Sequence, residues 1–246
     1  MKQKVVSREQ WLKARKGLLT KEKALTGIRD VVAEARRKLP WVKIEKPYIF
    51  DTAGGKRSLA ELFGAKQQLV VYHFMFAPDW QEGCPSCSFL VDHVDGALPH
   101  LAARDVSFAA VSRAPLPQIQ SFQRRMGWRF EWVSSFETDF NYDFQVSFTA
   151  QQRAKGRIRY NYGELEFSGE ELHGASVFYK DSAGAVFHTY SSYGRGLDLM
   201  LGAYNWLDIV PKGRDEDGLA FTMSWLRHHD RYGEDSTAVR RTDGLR

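Results

Sequence analysis

Two cysteines occur in the 246 residues, and they stand as Cys84-Pro85-Ser86-Cys87 within "QEGCPSCSFL". Sulfur at this spacing serves one of three ends: a dithiol that closes to a disulfide and reopens, half of a metal site, or two small apolar side chains filling a core. The surroundings bear on the choice. The preceding run "QQLVVYHFMF" is apolar on both faces, as a strand at the centre of a covered sheet is, and "CSFLVDHVDGALPHLA" reads as a helix. A cysteine at that junction meets unpaired backbone N–H groups and the positive end of the helix dipole, and both favour thiolate. Cys84 is therefore expected to be the more acidic and more exposed sulfur. Pro85 suits the first helical turn, where an N–H has no partner to lose. Cys87, almost one turn on, lies beside Cys84 and deeper. In a redox pair Cys84 attacks a partner's disulfide and Cys87 resolves the mixed intermediate.

The elements that must position this pair are legible on both sides of it. "WVKIEKPYIF" is extended and alternating, "DTAGGK" is a turn, and Ser58 with Glu61 forms a capping box opening the short helix "LAELFG". After the cysteines come the strand "VSFAAVS", a helix "LPQIQSFQRRMG" opened by Pro115, and the strand "FEWVSS". This order predicts an α/β sheet with parallel crossovers. Residues 136–172 are aromatic and polar without a clean period and read as an insertion; "ASVFYKDSAGAVFHTYS" then predicts a β-hairpin, and "GLDLMLGAYNWLDIV" a closing helix ended by Pro211. Ahead of all this, Ser7 and Gln10 form a capping box for a helix carrying Trp11, Leu12, Leu18 and Leu19, and a second apolar stripe follows at Leu25, Ile28, Val32, Ala35 and Leu39, stopped by Pro40. The expected organisation is an N-terminal helical arm over 1–41, a main domain over 42–212 and a partly loose C-terminal extension over 213–246. The arm's stripe needs a partner surface, either the protein's own body or a second subunit in a homodimer.

Composition narrows the classes. A content of 43% hydrophobic and 13% aromatic residues builds a real core, and the net charge of +5 is mild and diluted by acids in the basic N-terminal stretch, which favours a solvated helix over a nucleic-acid surface. With no apolar run of membrane-spanning length and no apolar segment behind the basic N-terminus, the expected location is the cytoplasm, without membrane attachment. One cysteine pair is too little for a disulfide scaffold.

The segment from "PYIFDTAGGKRSLAELF" through "QLVVYHFMFAPDWQEGCPSC" resembles the opening of a thioredoxin-like domain of the peroxiredoxin type. More closely, "VSREQW", "HFMFAPDW", "GCPSCSFL", "RRMGWRFEWVSS", "FNYDF" and "HTYSSYGRGLD" resemble the thioredoxin-like family catalogued as domain of unknown function 899, whose members are often labelled dithiol-disulfide oxidoreductases. The resemblance implies a central mixed sheet flanked by helices. It also implies exchange with a protein or small-molecule disulfide or thiol, and no dissociable cofactor. Peroxiredoxin-like peroxide reduction at Cys84 is the alternative, although Gln81 stands where peroxiredoxins carry Thr or Ser. Trp80 is separated from Cys84 by Gln81, Glu82 and Gly83, whereas thioredoxins place Trp directly before the cysteine; it packs on the cysteine loop or belongs to a partner surface. His73 stands in the strand where thioredoxin-like proteins hold a buried acid, which would let it relay the Cys87 proton; otherwise it is a satisfied core histidine. His173, Gly174 and Ala175 occupy the place of the cis-proline that faces the cysteines. His173 would then join Cys84 and Cys87 as ligands for zinc or Cu(I) in a non-catalytic carrier. Glu82 is expected either to raise the Cys84 pKa or to be solvated, and Arg195 to steady a thiolate or to be an ordinary surface cation.

Overall fold

Alternation along one short strand organises the protein. In β4 (Gln68–His73), Leu69, Val71 and His73 point to one side of the sheet, while Tyr72, followed by Phe74 and Phe76, points to the other. The computed structural model describes residues 3–233. β4 lies between β5 (Val106–Ser112), parallel to it, and β9 (Gly174–Lys180), antiparallel; β10 (Val186–Tyr193) returns antiparallel along β9. The eight strands run β1-β10-β9-β4-β5-β6-β2-β3, with β1 at Val42–Lys43, the hairpin β2 (Ile49–Thr52) and β3 (Gly55–Ser58), and β6 (Glu131–Ser134) parallel to β5. This mixed sheet, with three parallel strands (β4, β5 and β6) flanked by an antiparallel hairpin returning on β4, is the thioredoxin-like arrangement that the motifs imply.

The sheet's two faces carry separate cores. One holds Leu69, Val71, Phe140, Phe144 and Phe178; the other holds Tyr72, Phe74, Phe122, Trp128, Trp132 and Cys87. The crossover after β4 is two short helices, α2 (Pro85–Val91) and α3 (Leu98–Ala103), rather than the single helix expected. The crossover after β5 is α4 (Leu116–Met126), which ends on Gly127 at φ +69°, a left-handed position that glycine takes without strain.

The insertion has structure of its own. It contains α5 (Phe140–Asp143), α6 (Ala150–Ala154) and a separate hairpin of β7 (Arg157–Tyr160) and β8 (Gly163–Glu166). Its aromatic richness has a packing cause: Phe140 and Phe144 cover His73, and Phe148, Ile158 and Tyr160 form a small third core with Val146 and Tyr193. The closing helix shrinks to a 3-10 segment over Gly194–Met200 and α7 (Gly202–Leu207), ending four residues before Pro211.

The chain divides into two compact units, Met1–Trp41 and Val42–Arg246. The first is essentially one helix, α1 (Arg8–Arg37), with the capping box present in both halves. The two apolar stripes of the sequence thus belong to a single rod. Within the described part of the C-terminal extension, 213–233, Leu226 and His228 are buried in the second unit. The rest of the extension lies outside the described residues. Among the described residues no helix is long and apolar enough to cross a membrane.

Candidate functional site

The cysteine loop is fixed from three sides. Beyond β4 the chain keeps bonding to its parallel neighbour, Phe74 N–H to the Val111 carbonyl and Ala114 N–H to the Phe76 carbonyl. It then turns through Ala77–Trp80 and returns so that the Cys84 N–H donates to the Met75 carbonyl at 3.1 Å. Gly83 must be glycine: a Cβ there would lie 2.7 Å from the Phe74 ring and 2.8 Å from the Phe122 ring. Its carbonyl accepts from Nε2 of buried His228 at 2.9 Å.

Cys84 is the N-cap residue of α2, and its carbonyl accepts from Ser88 N–H at 2.9 Å and Ser88 Oγ at 3.0 Å. Pro85 occupies the first helical turn and is exposed. Cys84 is partly exposed as a residue, whereas Cys87 is only 1% accessible. The Cys87 thiol donates to the Cys84 sulfur, and this bond, with the backbone N–H groups of Cys87 and Ser86 and the Ser86 hydroxyl, outweighs burial and lowers the Cys84 pKa from about 9 to about 7. Burial, and then the bond to Cys84, pushes the Cys87 thiol well above its ordinary value. Two groups oppose that rise: the Tyr72 hydroxyl, which hydrogen-bonds the Cys87 sulfur, and the Met75 N–H at 3.5 Å. The two thiols are thus unequal: near neutral pH Cys84 gives up its proton more readily, while Cys87 keeps its own.

A cavity of about 160 Å³ opens beside Cys87, walled by Tyr72, His173, Leu197, Leu201 and Met223, with Arg195 and Asp198 also lining it. His173 therefore does reach the cysteine side of the sheet. Burial lowers its pKa, against the opposing hydrogen bond to the Gly194 backbone. The insertion buttresses this wall: the Tyr160 hydroxyl donates to the His173 carbonyl at 2.6 Å and accepts from Gly194 N–H at 2.9 Å.

Three expectations need correction. His73 faces away from the cysteines: it sits in the opposite core between Phe140 and Phe144, with Nε2 on Ser176 Oγ at 2.8 Å, and burial drives its pKa down to about 3. The residue that contacts Cys87 from this strand is its neighbour Tyr72. The Cys84, Cys87 and His173 metal set does not assemble; His173 is tied to Gly194, and among the described residues no three His, Cys, Asp or Glu side chains form a metal-holding group. Glu82 is neither a lone charge beside Cys84 nor merely solvated. It is ion-paired with Arg125 and Arg231, which overcome the effect of burial and keep its carboxyl below the ordinary range. Arg195 follows the second of its two readings, an ordinary surface cation: it pairs with Asp198 at 3.1 Å and points largely to solvent. Trp80 is partly buried and packs against the core cluster that Cys84 also borders.

Sequence reasoning missed Tyr72, whose signal was strand parity, and the C-terminal clamp. In that clamp Arg125 donates to Nδ1 of His228 at 3.1 Å and holds Asp230 through two bonds at 2.8 and 3.0 Å, while Arg231 reaches Glu82. Nothing local in "LRHHDRYG" marks those residues as the brace of a loop some 145 positions earlier.

The model of a family described as bacterial protein of unknown function, DUF899, matches residues 1–232. The chain belongs to that family. No curated protein matches it in sequence. Among solved structures, this DUF899 member is similar to the bacterioferritin comigratory protein of Xanthomonas campestris, a structure described for alkyl peroxide reduction, with 16% identity over 63% of this chain and 87% of that one and a TM-score of 0.41. It is also similar to peroxidoxin BcpB from Mycobacterium tuberculosis, with 15% identity over 67% and 94% of the two chains and a TM-score of 0.44. At such identities and scores the likeness assigns no residue a role.

Proposed function

We propose that the protein is a thiol-disulfide oxidoreductase in which Cys84 is the nucleophile and Cys87 the resolving thiol. The observation that carries this reading is the asymmetry of the pair: the thiol of a partly exposed cysteine, with a pKa near 7, in hydrogen-bond contact with a fully buried thiol whose pKa is raised. The Cys84 thiolate attacks one sulfur of a partner disulfide, forming a mixed disulfide and expelling the partner's other sulfur as thiolate. Cys87 then gives up its proton and attacks the Cys84 sulfur, closing Cys84–Cys87 and releasing the partner's second thiolate. The partner gains two electrons and the pair loses two. Tyr72 steadies the negative charge that Cys87 carries in this second step, since the tyrosine O–H donates more strongly to a thiolate than to a thiol. A dithiol of another redox system returns the electrons, which fits work in the cytoplasm, a compartment that keeps thiols reduced.

The test is trapping. In Cys87→Ser, resolution is blocked, and incubation with cell extract is expected to leave discrete mixed disulfides on Cys84 that Cys84→Ser lacks. Equal trapping by the two variants refutes the assignment. Peroxide consumption by the reduced protein, measured alongside, is expected to be slow against disulfide exchange; the reverse order moves the chemistry to the peroxidase alternative at the same sulfur.

A further inference from the structure

Helix α1 carries a row of exposed apolar side chains: Trp11 is 45% accessible, Leu18 51%, Leu25 58% and Val32 40%. These residues recur at intervals of seven, and Leu39, just beyond the helix, continues the series. Three positions after each stand Ala14, Lys21, Ile28 and Ala35, so the two seam positions of a heptad are apolar throughout except at Lys21. A seven-residue period is 3.5 residues per turn. On a straight helix of 3.6 such a seam drifts by about 20° per heptad, so only a second helix supercoiling with it stays in contact along its length. Among the described residues the next longest helix is α4, with 11 residues, and its Ile119, Phe122 and Met126 are already buried. Among the described residues no other helix has the length and period to pair with α1.

We propose that α1 pairs with α1 of a second copy of this chain as an antiparallel two-stranded coiled coil. Charge selects the orientation. Side by side in parallel, the helices would put Lys21 against Lys21 inside the seam. Run antiparallel about a point between Leu25 and Ile28, they put Leu25 against Ile28, Leu18 against Ala35 and Lys21 beside Val32 of the second copy. Along the flank, Glu22 then faces Arg29 of the second copy, twice by symmetry. Glu22 holds Arg15 of its own helix through one carboxylate oxygen at 2.7 Å, and the other oxygen remains for Arg29.

Sedimentation velocity of the full chain under reducing conditions, from nanomolar to tens of micromolar, tests this. The wild type is expected to be a concentration-dependent dimer, and Leu18→Asp with Leu25→Asp a monomer whose near-UV circular dichroism is unchanged. Arg29→Glu is expected to raise the dimer dissociation constant about tenfold, and adding Glu22→Arg to restore it. The charge exchange leaves the apolar seam intact, so this arm holds even if the aspartates unwind the helix. A wild type monomeric throughout, a dimer that persists in the double aspartate variant, or an Arg29→Glu defect that Glu22→Arg fails to repair overturns the proposal.

Discussion

The acidity of Cys84 rests first on the thiol of Cys87, so Cys87→Ala is the informative perturbation. It deletes the S–H donor while leaving the N–H groups of residues 86 and 87 and the Ser86 hydroxyl in place. With a pKa of about 7, Cys84 is about half ionised at pH 7, where a thiol at the ordinary value of about 9 is about 1% ionised, roughly fifty times less. Nucleophilicity falls as acidity rises. With a Brønsted coefficient of about 0.45, two pKa units take back about eightfold, so the net advantage over an ordinary thiol at pH 7 is about sixfold. The assay is alkylation by iodoacetamide between pH 5 and 10, resolved by mass spectrometry. In the wild type, Cys84 is expected to titrate with an inflection near pH 7 and to level off above pH 8, while Cys87 stays unmodified in the native protein. In Cys87→Ala the inflection moves upward, and the two Cys84 curves cross: the variant reacts more slowly near neutrality and faster at the alkaline end. A wild-type inflection at the ordinary thiol value, or a variant curve superimposable on the wild type, refutes the physical basis of the proposed chemistry.

Further consequences concern the groups around the pair. Tyr72→Phe removes the hydroxyl on Cys87 and is expected to slow resolution of a Cys84 mixed disulfide about tenfold or more in stopped-flow exchange, leaving the first attack intact; a hydrogen bond to a charged group is worth about 1.5–3 kcal/mol. His73 has a folded pKa far below its unfolded one, so its contribution to stability is present above pH 6.5 and lost as pH falls toward 3. The loss is at most about 5 kcal/mol, at 1.36 kcal/mol per unit, and urea unfolding at pH 7 and pH 4 should show a smaller pH effect in His73→Gln than in the wild type. Gly83→Ala forces a methyl group against Phe74 and Phe122 and is expected to cost about 1–3 kcal/mol or more in the same assay; stability equal to the wild type would contradict the packing described for the loop.

Much of this site was legible before the structure. The apolar run ending at Phe76, the turn and Pro85 together placed Cys84 at a helix start, because those signals are local. The sidedness of His73 was not legible, because alternation says only that His73 and Tyr72 point to opposite faces; which face the cysteines join depends on the path of residues 77–83. The insertion hid its order for a similar reason. Phe140 and Phe144 follow the sheet they cover rather than a period of their own, and Tyr160 is fixed by partners at 173 and 194. The clamp from Leu226 to Arg231 reads as polar tail because its bonds reach Glu82, Gly83, Asp92 and Arg125, all distant in sequence. The long α1 read as two stripes because the polar run Thr20, Lys21, Glu22 and Lys23 parts its apolar positions.

Equilibration of the full chain in dithiothreitol buffers of graded redox potential, quenched by acid and counted by mass for free thiols, tests the central assignment most directly. The account predicts one transition in which Cys84 and Cys87 lose their thiols together, two electrons at a time, to a disulfide between them that a dithiol reverses. Thiols that persist across the whole range, or oxidise independently of one another, would contradict it.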